Sequence, residues 1–204
     1  MHSEDIPIPG ARDVRATLDS PENEDANTIV VACPPHPQHR GHRGDARLKA
    51  VSEYLCDHGI ACLRFDYGDW DEGYGEREDA RNALRWAHEH YDRVGIFGFS
   101  FGGAIATLAA ASVESPPEVV SLLAPASKLA DDLDAAAVLE DIESPVQVLY
   151  GTRDTTAEWE PLVERAKELG HETVEMSADH FFIGQHEKVA DAVGGFLVGE
   201  LGER

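Results

Sequence analysis

The chain has 204 residues and carries 39 Asp and Glu side chains against 17 Lys and Arg, which gives a formal charge of −22 and a pI near 4.6. This charge argues against a nucleic-acid-binding surface, because phosphate recognition needs clustered cations. Apolar residues make up 42% of the chain, enough for a packed core, so the acidity belongs to the surface of a folded protein. The length predicts a single domain over residues 1–204.

The cationic residues are mostly arginines, and only four are lysines: Lys49, Lys128, Lys167 and Lys188. An acidic, lysine-poor composition resembles that of proteins from salt-saturated cytoplasm, where molar salt shortens the screening length to about 3 Å and removes most of the self-repulsion. The composition therefore predicts a halophilic protein. An ordinary acidic enzyme is the alternative.

The cysteines and the amino-terminal residues indicate the cellular compartment in which the protein is expected. Cys33, Cys56 and Cys62 form neither a disulfide framework nor a metal-ligand pattern, so three reduced thiols are expected. Residues 1–10 have no basic segment followed by an apolar one, as a secretory signal would. No apolar run approaches the roughly 20 residues of a membrane span. We therefore expect a soluble, cytoplasmic protein that binds no membrane.

Short apolar runs alternate with helical patterns along the chain. Residues 13–18 form a weak strand pattern, and the acidic residues 20–27 predict a turn. Later runs are short and do not strictly alternate, as expected of strands buried on both faces. These runs cover residues 28–33, 60–65, 94–97, 119–123, 146–150 and 173–176.

Helices are predicted between these strands. Apolar residues at i, i+3, i+4 and i+7 indicate helices near residues 76–90, 156–169 and 189–197, and a strongly apolar helix covers residues 104–111. Alternating strands and helices favour a three-layer α/β domain with a mostly parallel sheet, because right-handed crossovers place helices on both faces.

The most specific motif is Gly98-Phe99-Ser100-Phe101-Gly102, between a predicted strand and the apolar helix. Gly-x-Ser-x-Gly in this context indicates a nucleophile elbow, whose strained backbone projects the serine hydroxyl above the sheet. The free N–H of Phe101 at the helix start is then a candidate oxyanion donor. The alternative is that the glycines serve only a turn.

A serine nucleophile needs a base and an acid that orients the base, and in this fold class both follow the serine in the chain. Asp154 and His180 each follow a predicted strand and are our candidates for acid and base. His171 precedes the last strand and His186 lies in the final helix region, so both are interpreted as surface histidines. Asp179 is an alternative acid, but it is badly placed as the sequence neighbour of His180.

The loop after the first buried strand is rich in Pro, Gly and His and should supply the second oxyanion donor. By position, we choose the backbone N–H of His36. His36, His39 and His42 also suggest a zinc site. Their spacing on a Pro/Gly loop defines no single face, and no Cys or carboxylate set completes it, so we expect no metal and no cofactor.

With these motifs the chain resembles the α/β-hydrolase superfamily, in particular a small lid-less branch similar to dienelactone hydrolases. The segments that carry the resemblance are Pro34-Pro35-His36-Pro37 with Arg40-Gly41, residues 64–68, residues 73–80, the elbow, and Asp179-His180-Phe181-Phe182. Pro34 stands where this branch usually has a histidine, and Arg40 where it has a glycine. Both departures affect the oxyanion loop and leave the triad intact.

The resemblance implies an eight-stranded sheet with a shortened first edge strand. Only residues 124–143 separate two of the predicted strands, enough for one helix and no cap domain, so the site should be open. Trp70 and Tyr74 follow the carboxyl end of a strand, where ligands bind in open α/β sheets, and are predicted to line a substrate pocket. Glu76 and Asp79 are interpreted as stabilising a helix start.

The sequence thus predicts a serine hydrolase that cleaves an ester or related acyl bond of a small molecule through a covalent acyl-enzyme. Phe99, Phe101 and Phe181 flank the candidate catalytic residues as pocket wall or core. The alternative is a non-catalytic protein of the same fold that binds a ligand or partner, since fold alone does not guarantee activity.

Overall fold

The computed structural model describes residues 1–22 and 26–202, so the turn predicted over residues 20–27 falls partly outside the described residues. The strands are β1 (His2–Ile8), β2 (Val14–Ser20), β3 (Thr28–Cys33), β4 (Ala61–Asp66), β5 (Arg93–Phe99), β6 (Val119–Leu123), β7 (Lys128–Ala130), β8 (Leu133–Asp134), β9 (Val146–Gly151) and β10 (Glu172–Met176). The α-helices are α1 (Ala46–Asp57), α2 (Tyr74–His90), α3 (Phe101–Ala110), α4 (Ala135–Val138), α5 (Glu160–Glu168) and α6 (His186–Leu201).

Eight strands form one sheet in the order β1-β2-β4-β3-β5-β6-β9-β10. Strand β2 is antiparallel to β1 and β4, and the remaining pairs are parallel. Helices α1 and α6 pack on one face, and α2 to α5 pack on the other. The three-layer α/β-hydrolase architecture with a mostly parallel sheet is therefore confirmed.

Strand β3 shows why the apolar runs do not alternate with polar residues. All six of its residues are buried. Val30 and Ala32 pack with α1 and α6, whereas Ile29 and Val31 belong to the core cluster on the other face. A strand covered by helices on both sides has no solvent-facing positions, so both sets of side chains are apolar.

The predicted strands and helices are present, most of them within two residues of the expected ends. Two boundaries differ by four residues: α6 ends at Leu201 and not near residue 197, and α5 begins at Glu160 and not near residue 156. The preceding segment is held by Asp154, whose carboxylate accepts hydrogen bonds from the N–H groups of Thr156 (2.8 Å) and Ala157 (3.2 Å). The N–H groups of Thr156 and Ala157 are therefore bound to the carboxylate of Asp154 before the helix begins.

Outside residues 124–143, local sequence patterns did not locate helix α1 or strand β1. Helix α1 begins after Asp45, whose side chain caps the N–H of Arg47, and it buries Leu48, Val51 and Leu55 at helical spacing. The helical spacing of these three apolar residues was the feature of the sequence that could have predicted α1. Strand β1 is mostly exposed, so it lacks a hydrophobic pattern. It also contains Pro7, which an edge strand tolerates.

One expectation about the sheet was wrong. The first edge strand is not shortened, because β1 has seven residues paired with β2. Residues 124–143 form no single helix. They fold into the β7–β8 hairpin, the one-turn helix α4 and a 3-10 turn at Leu139–Asp141, with no inserted cap domain.

The three cysteines are free, as expected, and all three are buried. Burial raises the pKa of each thiol, that of Cys56 to about 12. Within residues 1–22 and 26–202, no helix combines the length and apolar character needed to cross a membrane.

A buried ion pair links the edge of the sheet to the predicted oxyanion loop. Asp19 in β2 is fully buried and accepts hydrogen bonds from Arg64 Nε at 2.6 Å and from the hydroxyls of Ser3 and Ser52. Arg64 also donates to the carbonyl oxygen of Arg43 at 2.6 Å. Desolvation raises the pKa of Asp19, but these hydrogen bonds outweigh it and leave the pKa below its usual value. The pair therefore anchors the end of the loop that starts at Pro34.

Asp19→Asn should lower the free energy of unfolding by about 3 kcal/mol at pH 7, because it leaves the Arg64 charge buried without its partner. The folded-state pKa of Asp19 is lowered, so its stabilising contribution is complete above an unfolded pKa of about 4 and declines as the pH falls below that value. Urea denaturation of the wild type and of Asp19→Asn at pH 7 and pH 3 measures the free energy of unfolding of each protein. If the wild type and the variant differed by the same amount at both pH values, the prediction would be contradicted.

Candidate active site

Ser100 occupies a strained turn between β5 and α3. It has φ 59° and ψ −119°, a conformation that non-glycine residues rarely adopt. A Cβ atom at Gly98 would lie 2.1 Å from the carbonyl oxygen of Gly102, and one at Gly102 would lie 2.3 Å from that of Cys33. Only glycine fits at these positions, so the Gly-x-Ser-x-Gly spacing permits the sharp turn that raises the serine hydroxyl above the sheet.

The structure brings Ser100, His180 and Asp154 together as a hydrogen-bonded relay. His180 Nε2 lies 2.9 Å from Ser100 Oγ, and His180 Nδ1 lies 2.7 Å from Asp154 Oδ2. The side chains of Asp154 and His180 are buried, whereas Ser100 is partly accessible. The second carboxylate oxygen of Asp154 accepts the N–H groups of Thr156 and Ala157, which fixes the carboxylate against the imidazole.

The competing residues lie elsewhere. Asp179 Oδ1 accepts the N–H of Phe181 at 3.0 Å, so it serves the turn after His180 and does not face its ring. His171 lies before β10, and His186 begins α6. The structure therefore places Asp154, and not Asp179, beside the imidazole.

The predicted oxyanion loop lies against the start of α3. The His36 ring lies 4.8 Å from the Phe101 ring, centroid to centroid, which sets the two residues side by side. Tyr67 donates from its hydroxyl to the carbonyl oxygen of Pro34 at 3.0 Å and fixes the beginning of the loop. The N–H of Phe101 belongs to the first turn of α3, where backbone donors have no intrahelical partner.

The departure at Arg40 is accommodated by backbone strain. Arg40 has φ 63°, the left-handed conformation that glycine adopts without cost, and it caps a 3-10 turn at Pro37–His39. The next residue, Gly41, has no room for a Cβ atom, which would lie 2.1 Å from the carbonyl oxygen of Pro35. Arginine thus takes the glycine conformation at residue 40, and the loop still closes.

The loop histidines take separate positions. His36 and His39 stack at 4.4 Å, whereas His42 Nδ1 accepts the N–H of Gly44 at 3.0 Å. Burial, reinforced by His39, lowers the pKa of His36, and its Nδ1 accepts the N–H of Gln38. Among the described residues, no three His, Cys, Asp or Glu side chains are grouped so that they could hold a metal ion.

Trp70 and Tyr74 line a cavity of about 330 Å³ next to the elbow. Trp70 stacks on His36 at 4.6 Å and lies 5.7 Å from the Phe101 ring. Tyr74 donates from its hydroxyl to Asp132 Oδ1 at 2.6 Å, which joins this wall to the β7–β8 hairpin. The remaining lining residues are Glu72, Lys128, Leu129 and Ala130. The cavity is therefore aromatic on the side of the candidate oxyanion donors.

Arg12, which the sequence analysis did not single out, clamps the loop that carries Trp70. Its Nε donates to Asp79 at 2.8 Å, and its NH2 group donates to the carbonyl oxygen of Asp69. Buried Glu76 accepts the N–H groups of Asp71 (2.9 Å) and Gly73 (2.8 Å). The backbone is therefore held on both sides of Trp70.

Asp79 differs from its predicted role at the helix start. It is fully buried, and besides Arg12 it accepts the N–H of Gly68 at 3.0 Å. Burial raises its pKa, although both donors favour the charged form. Glu76 does stabilise the start of α2, since it accepts the N–H of the N-cap residue Gly73. The sequence did not predict these contacts of Arg12, because Arg12 lies more than fifty residues before its partners in the chain.

The model of the X-Pro dipeptidyl-peptidase (S15) family matches residues 57–180, more than half of the chain. The chain belongs to this family. Together with the fold, this places it in the α/β-hydrolase superfamily. No curated protein sequence is significantly similar to the chain.

Solved structures share the fold over almost the whole chain. An α/β serine hydrolase homologue from Coxiella burnetii is 25% identical, with a TM-score of 0.81, and the match covers 97% of this chain and 98% of that one. A lid-less α/β serine hydrolase from Xanthomonas campestris is 22% identical, with a TM-score of 0.82 and coverages of 99% and 96%. A dienelactone hydrolase from Anabaena variabilis is 20% identical, with a TM-score of 0.78 and 98% of each chain covered.

Arg12→Gln should raise KM for an activated ester about tenfold with a smaller change in kcat, because the Trp70 loop loses its clamp while the relay is untouched. Steady-state kinetics measure this split. Arg15→Gln is the matched control, since Arg15 is exposed and pairs with exposed Asp13. An unchanged KM in a folded Arg12 variant would show that the clamp does not shape the cavity.

Proposed function

We propose that the protein is a serine hydrolase that cleaves esters or related acyl bonds through a covalent acyl-enzyme. The observation that carries this proposal is the relay from Ser100 Oγ through His180 to buried Asp154, with separations of 2.9 and 2.7 Å. Ser100 is the nucleophile, His180 the base and Asp154 the acid that orients it. Membership of a hydrolase family supports the same class of reaction.

In the first half of the reaction, Ser100 Oγ attacks the acyl carbon and gives its proton to His180 Nε2. Asp154 accepts a hydrogen bond from Nδ1–H, which holds the required tautomer and stabilises the imidazolium. The substrate oxygen becomes an oxyanion, and the N–H groups of His36 and Phe101 are its proposed donors. Such donors typically contribute a factor of about 10²–10³ each.

The tetrahedral intermediate then collapses. His180 Nε2 returns the proton to the leaving group, the bond to that group breaks, and the acyl group stays on Ser100. Water enters, His180 removes its proton, and the hydroxide attacks the acyl-enzyme. The second collapse releases the carboxylic acid and returns the proton to Ser100, so the enzyme is regenerated without any cofactor.

The cavity beside the elbow favours a small acyl group. Its volume of about 330 Å³ and its wall of Trp70, His36 and Phe101 suit a planar or short apolar acyl chain. The family match favours a second candidate reaction, cleavage of the peptide bond after an X-Pro dipeptide. The relay can act on ester and amide substrates alike, so its geometry does not distinguish the two reactions. Assays with both classes of substrate distinguish them.

Ser100→Ala should abolish hydrolysis of an activated ester and labelling by a fluorophosphonate, because only an activated serine reacts with this probe. The fold should persist, since a small hydroxyl at the elbow contributes little packing. Ser115→Ala is the matched control, with an exposed side chain in the α3–β6 connection. More than a few per cent of residual activity would exclude Ser100 as nucleophile.

The same probe distinguishes the proposal from its alternative. A non-catalytic protein of this fold would hold its serine without activating it, so the wild-type chain would not be labelled. Labelling of the wild type that disappears in Ser100→Ala supports the enzyme. Absence of labelling, together with no turnover of esters or X-Pro amides, would favour a binding protein.

We also propose that the protein works in a high-salt cytoplasm. Its charge of −22 leaves many carboxylates without cationic partners. Arginines already pair with carboxylates across the fold: Arg12, Arg15, Arg43, Arg47, Arg64, Arg81, Arg85, Arg93 and Arg165. Few cations therefore remain to offset the excess of acids, and dissolved salt must screen it.

The thermal midpoint should rise as KCl increases from about 0.1 M to 1 M, because the screening length falls from roughly 10 Å to 3 Å. Differential scanning calorimetry at several KCl concentrations measures this. Chloride is used because sulfate is excluded from protein surfaces and stabilises many folds. A flat or falling midpoint would show that the acidic surface is not an adaptation to salt.

A further inference from the structure

Three of the exposed large apolar side chains belong to segments that contribute residues to the candidate site. Five large apolar residues are exposed in the described part of the chain: Met1, Tyr74, Leu169, Phe181 and Ile183. Tyr74 lines the cavity, and Phe181 and Ile183 follow His180 directly in the chain. Phe181 is 47% exposed and Ile183 is 74% exposed. Phe181 and Ile183, separated in the chain by one residue, are therefore candidates for contact with an apolar part of a ligand.

Residues 180–184, here named the His180 turn, form a fixed platform. Phe182 is fully buried in the core with φ 51°, and Gly184 also has a positive φ of 72°. The N–H of Phe181 binds Asp179 Oδ1 at 3.0 Å, and the N–H of Gln185 binds the carbonyl oxygen of Phe182 at 2.9 Å. The buried Phe182 side chain therefore anchors a turn that exposes its two neighbours.

Arg47 fixes the same turn from the other side. Its NH1 group donates to the carbonyl oxygen of Phe181 at 3.1 Å, and its guanidinium lies 4.5 Å from the centre of the Phe99 ring. Arg47 also pairs with Asp45. The charge of Arg47 is thus engaged within the protein.

The chemistry of the relay decides which part of a substrate meets this surface. The leaving group must lie within hydrogen-bond reach of His180 Nε2, because that atom protonates it. The Phe181 ring meets the His180 ring edge to face, with centroids 5.2 Å apart. The cavity of Trp70 and His36 does not include Phe181 or Ile183 in its lining, so it is a separate surface.

We propose that Phe181 and Ile183 form the leaving-group subsite and select esters of apolar alcohols. This inference rests on the proposed hydrolase function and deepens it by naming one part of the substrate. The acyl chain occupies the Trp70 cavity, and the alkyl chain of the alcohol lies over Phe181 and Ile183. Binding there strengthens with alkyl length, because each methylene removed from water favours the complex.

A set of acetate esters with ethyl, butyl and hexyl alcohols tests the subsite. All three form the same acetyl-enzyme, so differences in kcat/KM report the acylation step in which the alcohol leaves. For the wild type, kcat/KM should rise about twofold per methylene, less than full burial would give because the surface is open. The double variant Phe181→Ser with Ile183→Ser should flatten this rise.

The controls separate the subsite from general effects. Leu169→Ser removes an exposed apolar residue at the end of α5, so it should leave the rise unchanged. Phe181→Leu keeps an apolar surface and should retain most of the rise. A second set, ethyl esters of acetate, butyrate and hexanoate, should respond equally in wild type and double variant, because it varies only the acyl chain.

The outcomes distinguish this inference from the proposed function. A wild type that hydrolyses the esters without favouring longer alcohols, or a double variant that keeps the full rise, overturns the subsite and leaves the hydrolase intact. Equal flattening of both ester sets also overturns it. A wild type that neither hydrolyses any ester nor reacts with a fluorophosphonate overturns the ester hydrolase itself.

Discussion

The left-handed backbone at Ser100 is the constraint on which the site depends. It requires the main chain of α3 to pass close to β3 and to the end of β5, and side chains at Gly98 or Gly102 would collide with carbonyl oxygens there. The same close approach brings the first N–H groups of α3 beside the oxyanion loop that follows β3. One backbone contact thus positions both the candidate nucleophile and the proposed oxyanion donors.

Strand order brings the remaining groups to this point. Strands β5, β6, β9 and β10 are adjacent and parallel, so the loops after them open at one edge of the sheet. Asp154 follows β9 and His180 follows β10, and their side chains meet Ser100 although 26 and 80 residues separate the bonded pairs. Burial of the acid and the imidazole excludes water from their contact, which strengthens the hydrogen bond between them.

Two apolar surfaces lie around the relay of Ser100, His180 and Asp154, and different contacts stabilise each of them. The Trp70 loop is held by backbone N–H groups bound to buried carboxylates and by Arg12. The His180 turn is held by the buried Phe182 and by Arg47. Without a cap domain in residues 124–143, these two loops and the β7–β8 hairpin form the walls of the site. The proposed substrate contacts therefore belong to a few short, well-anchored segments.

The sequence by itself determined the alternation of the buried strands with α2, α3, α5 and α6, the elbow and the candidate triad, because local spacing and chain order encode them. Helix α1, strand β1 and the elements of residues 124–143 were not predicted. It also indicated that Trp70 and Tyr74 lie at the carboxyl edge of the sheet. Only the tertiary structure decided which acid faces His180, since Asp154 and Asp179 are distinguished by direction and not by spacing. The Arg12 clamp and the Asp19–Arg64 pair were likewise settled by folding, because each joins residues distant in the chain whose charges pair only after burial.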